Sequence, residues 1–150
     1  MKMGFPINVF TKTATLHDGG NRLHSTTTLP TIGKAVVGVV KNPEMKNQVF
    51  RVSEADITIR ELLDIAKEVV GPHGWTVTEP DVEEEAVKAL TKIQQGIINR
   101  ETVMPFVYKA GWGVHNGGHF KVNDNELLGI KQLDRAGIKR VIEGLVNFLN

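Results

Sequence analysis

The chain has 150 residues, 41% apolar and 23% charged, which is the profile of one ordinary globular domain and excludes a disordered, collagen-like or coiled-coil chain. Lys plus Arg number 18 and Asp plus Glu 17, a formal net charge of +1, so no single-sign field points to nucleic acid or to an anionic membrane surface. The absence of cysteine excludes a disulfide scaffold, a thiolate metal site and a cysteine nucleophile. The longest apolar stretch, Ala35 to Val40, is six residues, far short of the ~20 that span a bilayer. Met1 to Phe10 carries one Lys and no long apolar run, so no secretory signal is read there and a soluble cytoplasmic protein is expected.

Thr13 to Leu16, extending at most to His17, reads as a short strand ended by the turn signal Asp18-Gly19-Gly20. Ser25 to Thr28 is a polar, β-branched run leading to Pro30, which suits the first turn of a helix running to about Lys41. That helix carries Ile32, Val36, Val37 and Val40 on one face, with Gly33 and Gly38 permitting close packing, and Asn42-Pro43 stops it. Gln48 to Ser53 predicts a strand. Thr58-Ile59-Arg60-Glu61 is a capping box, and the helix it opens carries Leu62, Leu63, Ile65, Ala66, Val69 and Val70 before Gly71-Pro72 ends it. Trp75 to Thr78 predicts a third strand.

Asp81 caps a helix to about Gln95, and the run Glu83-Glu84-Glu85 in its first turn suits the helix dipole rather than a metal site, since consecutive helical residues diverge. Asn99 to Ala110 predicts a helix despite Pro105, and Gly111 to Phe120, with four glycines in ten residues, predicts a loop. Asn125 to Leu128 reads as one helical turn. Asp134 starts the last helix, where Ile138, Val141, Ile142, Leu145, Val146 and Leu149 fall on one stripe. The fold class expected is α/β, α+β-like: a small mixed sheet with about five helices. Three strands are too few for a doubly wound sheet, so no complete Rossmann domain is expected.

The chemistry-bearing candidates cluster in two places. His17-Asp18 and His24-Ser25 bring two imidazoles, a carboxylate and a hydroxyl into one short segment, without the nucleophile elbow that a Ser–His–Asp enzyme of the hydrolase type needs. His115 and His119 are four apart, but Gly117 and Gly118 between them break the helix a metal pair would need, and no metal site is expected. In the loop Gly111-Trp112-Gly113-Val114-His115-Asn116-Gly117-Gly118 the third glycine of a dinucleotide fingerprint falls on Asn116, so the edge of a ligand pocket is expected there instead. An imidazole titrates near neutrality and suits acid/base work. Tyr108, Trp112 and Trp75 serve either to line a pocket for a flat ligand or to pack a core.

Read together, Thr13-Ala14-Thr15-Leu16-His17-Asp18-Gly19-Gly20, Ser25-Thr26-Thr27-Thr28-Leu29 and Thr31-Ile32-Gly33-Lys34-Ala35-Val36-Val37 resemble fungal NmrA-like proteins of the isoflavone-reductase type. Glu61-Leu62-Leu63-Asp64-Ile65-Ala66 and Asp124-Asn125-Glu126-Leu127-Leu128-Gly129 do so as well, and the order suits the C-terminal half of that family over about residues 5 to 150. The resemblance implies an atypical short-chain dehydrogenase ancestry, in which an N-terminal Rossmann half holds NADPH and a smaller C-terminal α/β half binds substrate. Members reduce aromatic or polyketide-like molecules, or sense the cofactor without catalysis. The cofactor fingerprint and the catalytic Lys region of the family have no counterpart here, and Lys34 and Lys109 do not match that Lys.

The expectation is therefore a single substrate domain over residues 1–150, with no cofactor in this chain alone. It would act on a small molecule of secondary metabolism by non-redox acid/base chemistry such as isomerisation, dehydration or cyclisation. Its pocket would take His17, Tyr108, Trp112 and His119, with His24 or His115 as the acid/base. One alternative is an NADPH-dependent oxidoreductase half completed by a separate Rossmann chain. Another is a non-catalytic ligand-binding or regulatory module. A bare apolar face predicts a homodimer or a Rossmann-type partner chain.

Overall fold

Among the described residues, five α-helices form along apolar-spaced segments, and five short strands form where the chain meets itself at long range. A computed structural model describes residues 6–115 and 117–149. The strands are β1 (Ile7–Asn8), β2 (Thr13–Thr15), β3 (Leu23–Thr26), β4 (Ala55–Thr58) and β5 (Thr76–Thr78). The helices are α1 (Leu29–Val40), α2 (Ile59–Val70), α3 (Val82–Gln94), α4 (Arg100–Trp112) and α5 (Arg135–Leu149). The architecture is mixed α/β, with one three-stranded and one two-stranded sheet. In the first sheet β1 runs antiparallel to β2, and β2 parallel to β5 with Ala14 opposite Val77. In the second, β3 and β4 are antiparallel with His24 opposite Ile57.

α2 organises the core. Its cap is the reciprocal box seen in the sequence: Glu61 N–H donates to Thr58 Oγ1 at 3.1 Å, and Thr58 N–H to the Glu61 carboxylate at 3.0 Å. One side of the helix sets Ile59 and Leu63 against Ala14 and Leu16 of the β2 segment, with Trp75 and Trp112 alongside. The other packs Ile65 and Ala66 with Ile57 and with Ile142 of α5. α3 and α4 pack together beside this core. Asp81 caps α3, accepting from Glu84 N–H, and Asn99 and Thr102 cap α4 reciprocally. Pro105 is tolerated inside α4.

Three sequence expectations are corrected. Gln48 to Ser53 forms no strand. The chain there meets loop side chains instead of another strand: Asn125 accepts from Ser53 N–H at 3.0 Å and donates to Ser53 C=O at 2.6 Å. Asp124 likewise accepts from Arg51 N–H, and its own N–H donates back to Arg51 C=O, both at 2.7 Å. The apolar face of α1 is not packed: only Thr31 and Ala35 of that helix are buried, and a Cβ added at Gly33 would meet nothing within 4 Å. The stripe on α5 is used in part, with Ile142 buried and Val141 and Leu145 exposed. Of the three strands expected, β2 and β5 form, and β1, β3 and β4 are additions. No helix among the described residues is long and apolar enough to cross a membrane.

Candidate functional site

The turn after β2 delivers the first site residue. Leu16 N–H donates to Thr78 C=O and Asp18 N–H to Pro80 C=O, which ties the turn to the chain entering α3. Asp18 adopts φ 47 and ψ 45, a left-handed conformation that Asp tolerates better than most residues. Its carboxylate then accepts from Val82 N–H and from Val114 N–H, each at 3.0 Å. The Asp18 side chain thus joins the start of α3 to the end of α4. The clamp leaves the neighbouring His17 buried at 3% exposure.

Tyr108 and Trp112 stand one helical turn apart on α4 and so share a face. The His17 ring stacks on Tyr108 at 4.5 Å and on Trp112 at 5.2 Å. His24, from β3, meets the Trp112 ring edge-on at 5.9 Å. Four expected site residues from three elements therefore form one aromatic cluster. Inside it, His17 Nδ1, His24 Nδ1 and Trp112 Nε1 are buried without a hydrogen-bond partner among the described residues. Leaving such a group unpaired costs about 1–3 kcal/mol, so three in one cluster mark a place where a polar ligand group or water would be stabilising.

Burial pushes the His17 imidazole below its usual value, opposed by the nearby Asp18 charge. Burial does the same to His24, opposed by a hydrogen bond to the Arg22 backbone and by the Asp56 charge. Both rings are thus neutral at pH 7.

A second constellation adjoins β3. Asp56 accepts from Ser25 Oγ at 2.6 Å and Ser53 Oγ at 2.7 Å through Oδ1, and from Gln132 Nε2 at 2.7 Å through Oδ2. His119 Nε2 lies 3.8 Å from Oδ2. Burial raises the Asp56 carboxyl, but these hydrogen bonds and the His119 ring outweigh it and hold it below the usual carboxylate range. Ser25 donates to Asp56 while accepting from Phe120 N–H at 2.9 Å. Its hydroxyl is committed to that carboxylate rather than to a histidine base. His119, expected in the pocket, belongs to this network, and His115 is exposed and makes none of the ring contacts. Asp56, Ser53 and Gln132 carried no signal in the sequence, because no motif links residues this far apart.

The glycine-rich loop holds these parts close. A Cβ on Gly118 would lie 2.5 Å from Gly111 C=O and 3.4 Å from the His24 side chain, so only glycine fits there. The loop follows the C-terminal end of α4, where a helix presents carbonyl oxygens. It does not fit a dinucleotide, whose phosphates need N–H groups at a helix N-terminus. Asn116, at the third glycine position, lies outside the described residues. No group of three His, Asp or Glu side chains among the described residues gathers as a metal-ligand set.

A groove of about 440 Å³ lies between α3 and α4, with Tyr108, Met104, Pro105, Lys88, Lys92 and Arg100 in its wall; of the aromatic cluster it touches Tyr108, while His17, His24 and Trp112 do not line it. Its size falls within the range of small-molecule sites. Comparison with protein-family models, curated proteins and solved structures finds no match to this chain.

Proposed function

We propose that the chain is a small-molecule enzyme of NmrA-like descent, performing proton-transfer chemistry without a cofactor of its own. The observation that carries this reading is the buried His24, its pKa lowered by burial and its Nδ1 without a hydrogen-bond partner among the described residues, in one ring cluster with Trp112 and His17, whose Nε1 and Nδ1 are also unpartnered. A hydroxyl or enol fits such a set, since it donates to an imidazole lone pair and accepts from an indole N–H. His24 Nδ1 takes a proton from the ligand and becomes imidazolium. The ligand oxygen gains negative charge, which the Trp112 N–H stabilises. Return of the proton at a second atom completes an isomerisation, with no net change of atoms or electrons.

A flat ligand enters through the α3–α4 groove, where Tyr108 both lines the wall and stacks on His17. His115 is exposed and outside the ring cluster, whereas His24 is buried within it, so His24 is the better base. The substrate class proposed is an aromatic or polyketide-like skeleton of secondary metabolism, following the resemblance of the sequence.

The test is nitrogen-15 NMR of the imidazoles together with Trp112 indole shifts during titration with 2-naphthol. Expected are a neutral His24 protonated on Nε2, a midpoint below 6.5, and an indole shift that disappears in His24→Ala and His17→Phe. A His24 protonated at pH 7, or an indole that ignores the phenol, overturns the proposal. NADPH is the control titrant, and tight binding by the isolated chain moves the reading to a cofactor-dependent reductase.

A further inference from the structure

The groove between α3 and α4 has a direction. Lys109, near the end of α4, pairs with Glu83, at the start of α3, at 2.7 Å, so the two helices run antiparallel. Residues three and four apart share a helix face. Along the groove the α4 wall therefore reads Tyr108, Met104, Arg100, while the α3 wall reads Glu85, Ala89, Lys92.

The chemistry changes from end to end. At one end stands Tyr108, whose ring stacks on His17 at 4.5 Å. In the middle Ala89, 4% exposed, forms an apolar floor with Met104 and Pro105. The far end holds Lys92 and Arg100, and Glu101 beside them offsets only part of that positive charge. Lys88 is paired with Glu84 on its own helix, whereas no ion pair among the described residues holds Lys92. From Tyr108 to Arg100 is about 12 Å of helix, at 1.5 Å per residue.

An apolar trough that begins at an aromatic ring and ends at cations suits an elongated acid better than a neutral flat ring. A ligand amine would meet like charge at the far end. We infer that the ligand carries a carboxylate about 12 Å from its aromatic head, and that Lys92 and Arg100 hold it. The inference rests on the reading of the His24 cluster as the place of that head. Lys92 and Arg100 are exposed, so the pairing adds modest affinity and sets which ligands enter, rather than supplying most of the binding.

The experiment is titration of the full chain with 4-hydroxyphenyl-alkanoic acids of increasing chain length and with their methyl esters, followed by NMR at the Met104 methyl and the Trp112 indole. The tightest binder expected is the acid whose extended phenol-to-carboxylate length matches ~12 Å. At low salt it binds about fivefold more tightly than its ester, and the advantage fades at high salt. Lys92→Gln and Arg100→Gln each reduce that advantage and together remove it, with ester binding and helical circular dichroism unchanged. Lys46→Gln, on an exposed residue outside the groove, retains it. Equal affinity of acid and ester, an advantage that survives the double substitution, or no dependence on chain length each overturns the inference. An acid that shifts the Met104 methyl in a Lys92-dependent way but leaves the Trp112 indole unmoved supports the carboxylate site and overturns the cluster as the place of the head.

Discussion

At the scale of single residues, His17 is the informative case. Its ring packs on Tyr108 and Trp112 as an aromatic should, yet Nδ1 is buried without a partner. Phenylalanine would keep the stack and remove the orphan atom. His17→Phe is therefore expected to stabilise the chain by about 1 kcal/mol while abolishing the response to 2-naphthol. Urea unfolding at pH 7 reads the first effect and indole NMR the second. Stability gained with function lost is the signature of a residue kept for binding rather than for folding. A destabilised variant would mean that the nitrogen has a partner and the cluster is only structural.

At the scale of elements, side chains do work that strands and caps do elsewhere. Glu54 closes the N-terminus of α1 from a neighbouring segment, accepting from Thr28 N–H at 2.9 Å, Thr28 Oγ1 at 2.6 Å and Thr31 Oγ1 at 2.7 Å. Burial raises its carboxyl, and these bonds overcome that and hold it low. Asn125 acts as a substitute strand for Ser53, whose residue is 0% exposed. Asn125→Ala would leave one buried N–H and one buried C=O unpaired, and is expected to cost about 2–4 kcal/mol. Hydrogen exchange at the Ser53 amide should accelerate more than that of α2. Unchanged protection at Ser53 would show that the pairing contributes nothing.

At the scale of the whole molecule, the buried histidines set the acid response. Folded His17 and His24 both titrate below the usual 6.5, so the unfolded chain binds protons that the native chain refuses. Their contribution is complete above pH 6.5 and is lost as pH falls from there toward their folded values. Asp56 and Glu54, lowered from 3.8 and 4.5, withdraw theirs only at more acidic pH. The unfolding midpoint should thus fall in two stages on acidification. His17→Phe should flatten the first stage and leave the second, as a thermal melt series across pH 7.5 to 4 would show. A first stage that persists unchanged in His17→Phe and His24→Ala would remove histidine burial as its cause.

The sequence by itself determined what is local. The Thr58–Glu61 box, the Gly71-Pro72 stop, the Asp81 cap and the periodicity of α2 and α5 act over a few residues, so the helices were legible. His17, His24, Tyr108 and Trp112 were legible as residue types suited to a site. Tertiary structure alone decided what is nonlocal. β1, β3 and β4, two to four residues long, are too short to show a period of two, and Gln48 to Ser53 shows strand character but finds Asp124 and Asn125 in place of a strand. The valines of α1 have the spacing of a core face, yet only packing tells whether anything lies opposite. The gathering of the His17, His24, Tyr108 and Trp112 rings, and that of Asp56 with Ser25, Ser53, His119 and Gln132, come from segments separated by tens of residues, and spacing along a chain carries no information about such meetings.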